Sequence, residues 1–179
     1  MKLLREYIRE LLTESTIDPK IMSMIDEAEK RGLKVYVGPY SVTLVDGDFG
    51  VGSVSWEDGM HGPCLNSSYV THSSAKGGFG PLLYDVAIEM TGGLTPDRTE
   101  VSDPALRVWS YYEKNRDDVK NKQLDDLYNK LTTKHEDNCE QESAMQHMDD
   151  DWHLSPLSKK YFKEGRPVWR ELHRRKMLG

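Results

Sequence analysis

Three glycines and a proline precede an apolar stretch with helical spacing, in the segment Ser74-Ala75-Lys76-Gly77-Gly78-Phe79-Gly80-Pro81. The apolar residues that follow recur at the period of one helix face: Leu82, Leu83, Val86, Ala87 and Met90. Proline suits the first turn of a helix, where its missing N–H is not needed. Glycines before a helix leave bare N–H groups, and these groups together with the positive end of the helix dipole can hold phosphate oxygens. The segment therefore predicts a phosphate site, and the glycines alone leave open a tight turn without a ligand.

Two better-known phosphate motifs do not fit this segment. A P-loop ends in Gly-Lys-Ser/Thr, which the chain lacks. A dinucleotide-binding fold needs Gly-x-Gly-x-x-Gly after its first strand, but only Gly78-x-Gly80 matches, and several strand-like runs come earlier.

The elements that must position this loop can be predicted from the preceding residues. Asp18-Pro19 is a helix start, and Gly32 is placed to end that helix. Four strand-like runs follow, separated by short turns: 33–37, 42–45, 49–56 and 64–71. Short turns can join only antiparallel strands, so the sequence predicts an α/β fold with a mixed, mostly antiparallel sheet flanked by helices.

The second half is predicted to be mainly helical. Residues 94–99 are predicted to be a loop without a strand, and Ser102-Asp103-Pro104 to cap a helix. A polar helix is predicted from Asp117, with these residues on its buried side: Leu124, Leu127, Tyr128 and Leu131. Acidic residues predominate over 125–151 and basic residues over 159–176, which predicts either mutual docking or two exposed faces.

Three segments are predicted in the 179-residue chain. Residues 1–16 form an amphipathic N-terminal helix and a linker, and that helix is expected to dock on the domain, on another subunit or on a protein partner. Residues 17–131 form the main domain, and residues 132–179 a C-terminal helical tail that packs on it.

Composition excludes several classes of protein. A net charge of −6 disfavours bulk attraction to nucleic acid or membranes, so neither is an expected partner. Cys64 and Cys139 are too few for a disulfide framework and fit a reducing cytoplasm. No apolar run is long enough to cross a bilayer, and the charged opening is not a signal peptide.

The glycine segment resembles the pyrophosphate loop of the GNAT superfamily of N-acetyltransferases, whose pattern is Arg/Gln-x-x-Gly-x-Gly/Ala after the fourth strand. Gly78 and Gly80 stand at the two small positions, and Ala75 replaces the leading Arg/Gln. The resemblance implies a GNAT-like fold and acetyl-CoA as co-substrate. It places the cofactor on Ala75, Lys76, Gly77, Gly78, Phe79, Gly80 and Leu82.

The same resemblance suggests catalytic residues. Tyr112-Glu113-Lys114-Asn115-Arg116 resembles the family segment whose tyrosine protonates the leaving thiolate, although Arg116 stands in place of glycine. A second alignment, from Ser102-x-x-Ala105, puts Trp109 at that position, and the usual acid is then missing. The alternative for Tyr112 is a packing residue on an amphipathic helix. Glu57 is the predicted base, with Asp58 and His72 as alternatives that must reach the amine.

No metal site is predicted. Residues of types that can bind a metal occur in the second half of the chain, but their spacing matches no closed zinc pattern. These residues are His135, Cys139, His147, 149–151 and His153.

The resulting hypothesis is a cytoplasmic N-acetyltransferase that acts on an amine of a small molecule or protein. The alternatives are an inactive GNAT-like protein with a binding or virion-assembly role, and a GNAT fold that binds CoA without turnover. The opening residues 1–12 resemble those of proteins from tailed marine bacteriophages, which would place the chain in the host cytoplasm or the virion.

Overall fold

The fold is built on one seven-stranded sheet, seen in a computed structural model that describes residues 17–60 and 62–179. The predicted N-terminal helix lies outside the described residues. The strands are β1 (Lys34–Val37), β2 (Ser41–Asp46), β3 (Phe49–Glu57), β4 (Ser68–Ala75), β5 (Leu94–Thr95), β6 (Lys120–Gln123) and β7 (Lys159–Phe162). Their order is β1-β2-β3-β4-β5-β7-β6, and only β4 and β5 are parallel. The predicted α/β class with a mixed, mostly antiparallel sheet is confirmed.

Five α-helices accompany the sheet in the described part of the chain: α1 (Pro19–Lys30), α2 (Gly80–Thr91), α3 (Asp103–Asn115), α4 (Glu142–Met148) and α5 (Pro167–Arg174). Asp18 caps α1 by accepting the backbone N–H of Lys20 at 2.9 Å and that of Ile21 at 3.3 Å. Helix α2 is central, because every residue from Leu82 to Glu89 is buried. It therefore fixes the loop before it to the core.

Two predictions for the second half are wrong. Leu94–Thr95 is a strand, not a loop, and it pairs with Ser68 and Tyr69 of β4. Residues 120–123 form β6 instead of a helix, because they pair with β7. Of the four side chains expected on a buried helical face, only Leu124 is buried. The other three are exposed: Leu127, Tyr128 and Leu131.

The segment after residue 132 is more than a helical tail. It contributes β7, which lies inside the sheet between β5 and β6, together with α4, α5 and three 3₁₀ turns: His135–Asp137, Asp149–Leu154 and Pro156–Ser158. Its basic end pairs with acids elsewhere in the chain. Arg175 lies 2.6 Å from Asp26 and 2.7 Å from Glu29, both on α1.

The two cysteines form a disulfide in this structure, 75 residues apart in sequence. Both are buried and pack with Leu124 and Tyr69. The expectation of unpaired cysteines is therefore wrong, because the fold brings the segment before β4 beside residue 139. The cysteines then give no support to a reducing compartment.

The acid stability of the end of α5 depends on Glu171, which pairs with the next two arginines in the chain. Its carboxylate accepts hydrogen bonds from Arg174 and Arg175, which lower its pKa to about 2. A carboxylate with a depressed folded-state pKa stabilises the fold above its ordinary pKa and loses that contribution as the pH falls towards 2.

We therefore expect Glu171→Gln to flatten the fall in melting temperature between about pH 4.5 and pH 2. Differential scanning calorimetry across this range, with Glu136→Gln on the exposed surface as control, measures it. Identical pH profiles for wild type and Glu171→Gln would contradict the expectation.

No helix in the described part of the chain is long and apolar enough to span a membrane.

Candidate functional site

A cleft opens where β4 and β5 separate. The two parallel strands pair only at Ser68↔Leu94 and Tyr69↔Thr95. β4 then continues to Ala75, beyond the end of β5. Thr71 forms a β-bulge, because Ser55 pairs with His72 and Trp56 with Val70. Bulges bend a strand and re-aim its side chains, and they are frequent beside active sites.

The cleft lies between the second half of β4 and the first turns of α3, and it has two adjoining halves. We call the half next to the glycine loop the loop half; it measures about 440 Å³ and is lined by Ala75, Gly78, Gly80, Pro81, Pro104 and Val108, among others. We call the other the inner half; it measures about 290 Å³ and its lining includes Val70, His72, Asp97, Glu100 and Trp109. Ser73, Tyr84, Ser102 and Ala105 line both halves and mark their junction.

The glycine loop leaves backbone amides available at the mouth of the loop half. Gly77 and Gly78 have φ values of +67° and +81°, a left-handed backbone that favours glycine. No described side chain caps α2, whose first helical bond runs from Leu83 N to Phe79 O at 3.2 Å. The earlier amides therefore lack helical partners, as at every helix N-terminus. Such amides favour an anion.

Positive side chains stand beside this loop. The Arg31 guanidinium stacks over the Phe79 ring at 5.4 Å, and its Nη1 would lie 3.5 Å from a Cβ added to Gly77. Arg31 forms no ion pair with residues 17–60 or 62–179, and the exposed Lys76 directly precedes Gly77 in the chain. Arg31 was not predicted, because it ends α1, which is far from the loop in sequence. Two cations and free amides together suit a phosphate group.

The predicted loop residues differ in whether they line the cleft or have their side chains buried in the core. Ala75, Gly78 and Gly80 line the cleft. The side chains of Phe79 and Leu82 are buried in the core, so these two residues can offer only backbone groups. The Lys76 N–H donates to Val51 O at 3.0 Å, which leaves only its side chain for a ligand.

Tyr112 does not line the cleft. Its hydroxyl donates to Asp85 Oδ1 at 2.7 Å and to Pro81 O at 2.9 Å, on the core side of α2. Burial first, and then the Asp85 charge, raise the pKa of Tyr112 well above its ordinary value. Trp109 does line the inner half. The geometry therefore fits the alignment that places Trp109 in the site and gives no support to Tyr112 as the acid.

A different tyrosine occupies the junction of the two halves. The Tyr84 hydroxyl donates to Ser73 Oγ at 2.8 Å, and burial raises the pKa of Tyr84 to about 12. This phenol stays protonated at neutral pH and can donate a proton inside the cleft. Tyr84 was not predicted as a site residue, because the sequence places it only in the helix after the glycine loop.

The predicted base Glu57 lies outside the cleft. Its exposed carboxylate accepts a hydrogen bond from Tyr69 Oη at 2.8 Å, in a separate open hollow that also contains Asp58. Burial and then Glu57 raise the pKa of Tyr69 to about 12. Of the alternatives, Asp58 accepts from Ser68 Oγ at 2.9 Å in that hollow, and only His72 reaches the inner half.

A buried ionic network lies behind the loop. Asp85 and Glu89 of α2 are fully or almost fully buried. Asp85 receives Arg116 through two bonds of 3.0 and 2.8 Å, and Lys163 Nζ lies 2.8 Å from Asp85 and 3.0 Å from Glu89. The network ties α2 to the end of α3 and to the chain after β7. The network was not predicted, although the sequence places two carboxylates four residues apart in an apolar helix, which could have indicated buried ion pairs.

No group of three metal-binding side chains comes together among residues 17–60 and 62–179. The candidate ligand types serve other contacts: Cys139 is in the disulfide, and His147 Nδ1 lies 2.9 Å from Ser155 Oγ.

No protein-family model matches the chain, and no curated protein or solved structure is significantly similar to it.

Proposed function

We propose that the protein is an acyl-CoA-dependent N-acyltransferase with a GNAT-like fold, which transfers an acetyl group from acetyl-CoA to an amine. The observation that carries this proposal is the continuity of the cleft. It runs along β4, past the point where β5 ends, to an uncapped glycine-rich helix start flanked by two cations.

The loop half suits the anionic part of the cofactor. Its pyrophosphate would bind the amides that precede α2, and Arg31 and Lys76 would balance its charge. The apolar lining from Pro81, Pro104 and Val108 suits the arm that carries the thioester. The open edge of β4 offers backbone groups along which the amide units of that arm could align.

The chemistry requires a proton donor for the thiolate that leaves. Tyr84 is the protonated hydroxyl at the junction of the two halves, and Ser73 beside it can pass a proton into the cleft. The amine would approach through the inner half, whose lining among residues 17–60 and 62–179 contains no Lys or Arg.

Binding of CoA without turnover is the second candidate. It is favoured by one observation: Tyr112, the tyrosine expected from the family pattern, points away from the cleft. An inactive protein with an assembly role stays a hypothesis. It rests on the departures from the family pattern at Ala75 and around Tyr112, with residues 1–16, outside the described structure, and the C-terminal segment as its surfaces.

Gly80 gives a steric test of the loop half. A Cβ at Gly80 would meet its nearest neighbours at 3.8 Å (Ala75 Cβ) and 4.0 Å (Val108 Cγ2), so Gly80→Ala fits at ordinary contact distances. Gly80→Trp would place an indole in the cleft. We expect Gly80→Trp to weaken acetyl-CoA binding at least about 100-fold, and Gly80→Ala to leave it within a few-fold of wild type.

Isothermal titration calorimetry with acetyl-CoA measures both variants, after circular dichroism has shown that each is folded. Equal affinity in wild type and folded Gly80→Trp would remove the proposed site.

A further inference from the structure

The loop after β5 holds a carboxylate rigidly in the inner half of the cleft. Asp97 follows Thr95 and Pro96, just where β5 ends and the cleft opens. One carboxylate oxygen, Oδ1, accepts three hydrogen bonds: from Thr99 N at 2.9 Å, Thr99 Oγ1 at 2.9 Å and Glu100 N at 3.3 Å. The other oxygen, Oδ2, forms no hydrogen bond within the described part of the chain. One oxygen therefore anchors the group and the second is free for a ligand.

The backbone that carries Asp97 is also held from behind. Buried Arg98 donates to Pro96 O at 2.9 Å and to Leu157 O. Ser143 Oγ donates to Asp97 O at 2.7 Å, and Ser143 N to Arg98 O at 3.0 Å. A side chain fixed by such surrounding contacts keeps its position when a ligand arrives.

The surroundings of Asp97 suit a positive ligand. Glu100 lines the same cavity, and the described lining contains no Lys or Arg. Tyr84 lines the same cavity as Asp97; burial raises the pKa of Tyr84, and the Asp97 charge raises it further by a smaller amount. The carboxylate therefore lies in the inner half of the cleft and not in the loop half, which adjoins the glycine loop.

We propose that Asp97 is the catalytic residue that binds the amino group of the acceptor, and that the acceptor is a primary amine that is cationic in solution. This inference rests on the proposed function. The ammonium group held at Asp97 first loses one proton to solvent. As the neutral nitrogen attacks the thioester carbon, the C–N bond forms and the nitrogen gives its second proton to Asp97 Oδ2. The C–S bond breaks, and the thiolate takes the Tyr84 hydroxyl proton through Ser73. Asp97 then releases its proton to water and Tyr84 regains one from water, so that acetyl-CoA and amine give amide and CoA.

A pair of CoA thioethers tests this without knowledge of the natural acceptor. S-(2-aminoethyl)-CoA places an ammonium group just beyond the sulfur, where the acceptor nitrogen must come, and S-propyl-CoA is its uncharged match. Because a charge-assisted hydrogen bond forms only with the first, we expect wild type to bind the aminoethyl thioether about tenfold more tightly.

Asp97→Asn is the decisive variant. Asn retains a carbonyl oxygen for the three anchoring hydrogen bonds, so the turn is preserved. We expect this variant to bind both thioethers equally and to bind desulfo-CoA as wild type does. Asp103→Asn, which removes a nearby exposed charge outside the cavity lining, is the matched control and should keep the tenfold preference.

Two results would overturn the assignment: equal binding of the two thioethers by wild type, or an unchanged preference in Asp97→Asn. Failure of the underlying proposal is distinguishable, because wild type would then bind neither thioether nor desulfo-CoA. That result would overturn the assignment of Asp97 as well.

Discussion

Replacing Lys163 by methionine is expected to lower the free energy of unfolding by about 3–5 kcal/mol, because it removes one partner of a buried ion pair. The Lys163 side chain is fully buried, and its ammonium group contacts two fully buried carboxylates, Asp85 and Glu89. Arg116 would still neutralise Asp85. Glu89 would retain only the backbone N–H groups of Val168 and Trp169, at 3.0 and 2.9 Å.

The control is Lys160→Met, three residues earlier, on β7. Lys160 is half-buried and forms no ion pair in the described structure, so its replacement is expected to cost less than about 1 kcal/mol. Urea denaturation measures both variants. The double variant Lys163→Met/Glu89→Gln should lose less stability than the sum of its single changes, since neither charge is then left alone. A loss below 1 kcal/mol for Lys163→Met would mean that the network contributes little.

The network also predicts a response to alkali. Burial by itself lowers the pKa of Lys163, but the Asp85 and Glu89 charges outweigh it and raise the pKa above the ordinary 10.5. A raised folded-state pKa stabilises the fold below the unfolded-state pKa, and the contribution disappears as the pH rises through the folded-state value. Wild type should therefore lose stability above about pH 10.5 more steeply than Lys163→Met.

Loss of the Cys64–Cys139 disulfide is expected to destabilise the protein by about 4 kcal/mol. The bond closes a loop of 75 residues, and cross-linking a loop of that length restricts the unfolded chain by roughly this free energy. The prediction applies to the double variant Cys64→Ser/Cys139→Ser and to wild type treated with reductant.

Urea midpoints with and without dithiothreitol measure the effect. The double variant serves as the control, because its midpoint should not respond to reductant. Alkylation under denaturing, non-reducing conditions should find no free thiol in wild type. Two free thiols per chain in protein purified without reductant would contradict the disulfide.

The elements set by local sequence were predictable. Asp18-Pro19 starts α1, and Gly77 and Gly78 precede α2 while Pro81 lies in its first turn, because capping and turn geometry depend on neighbouring residues. Elements that depend on distant partners could not be predicted from the sequence. β5 has two residues, and β6 pairs with a strand almost forty residues later, so neither carries a local signal of its own. The disulfide could not be predicted for the same reason, since its two cysteines meet only in the folded chain.

The candidate site likewise contains some residues that could be predicted from local sequence and others that could not. The positions of Gly78 and Gly80 could be predicted because the loop and helix that form them are contiguous. Asp97 and Tyr84 come from separate elements and meet in one cleft only in the folded chain, which also brings Arg31 beside the glycine loop. Tyr112 shows the converse. It has the residue type expected of an acid, but the direction of its helical face decides that it meets Asp85 and not the cleft.

Calorimetric titration of the wild-type protein with acetyl-CoA, and separately with desulfo-CoA, tests the central claim most directly. The proposed function predicts micromolar binding of both ligands, with a rise in melting temperature that increases with ligand concentration. Absence of heat and of thermal stabilisation with both ligands, at concentrations well above that range, would contradict it. The glycines before α2 would then serve only the turn.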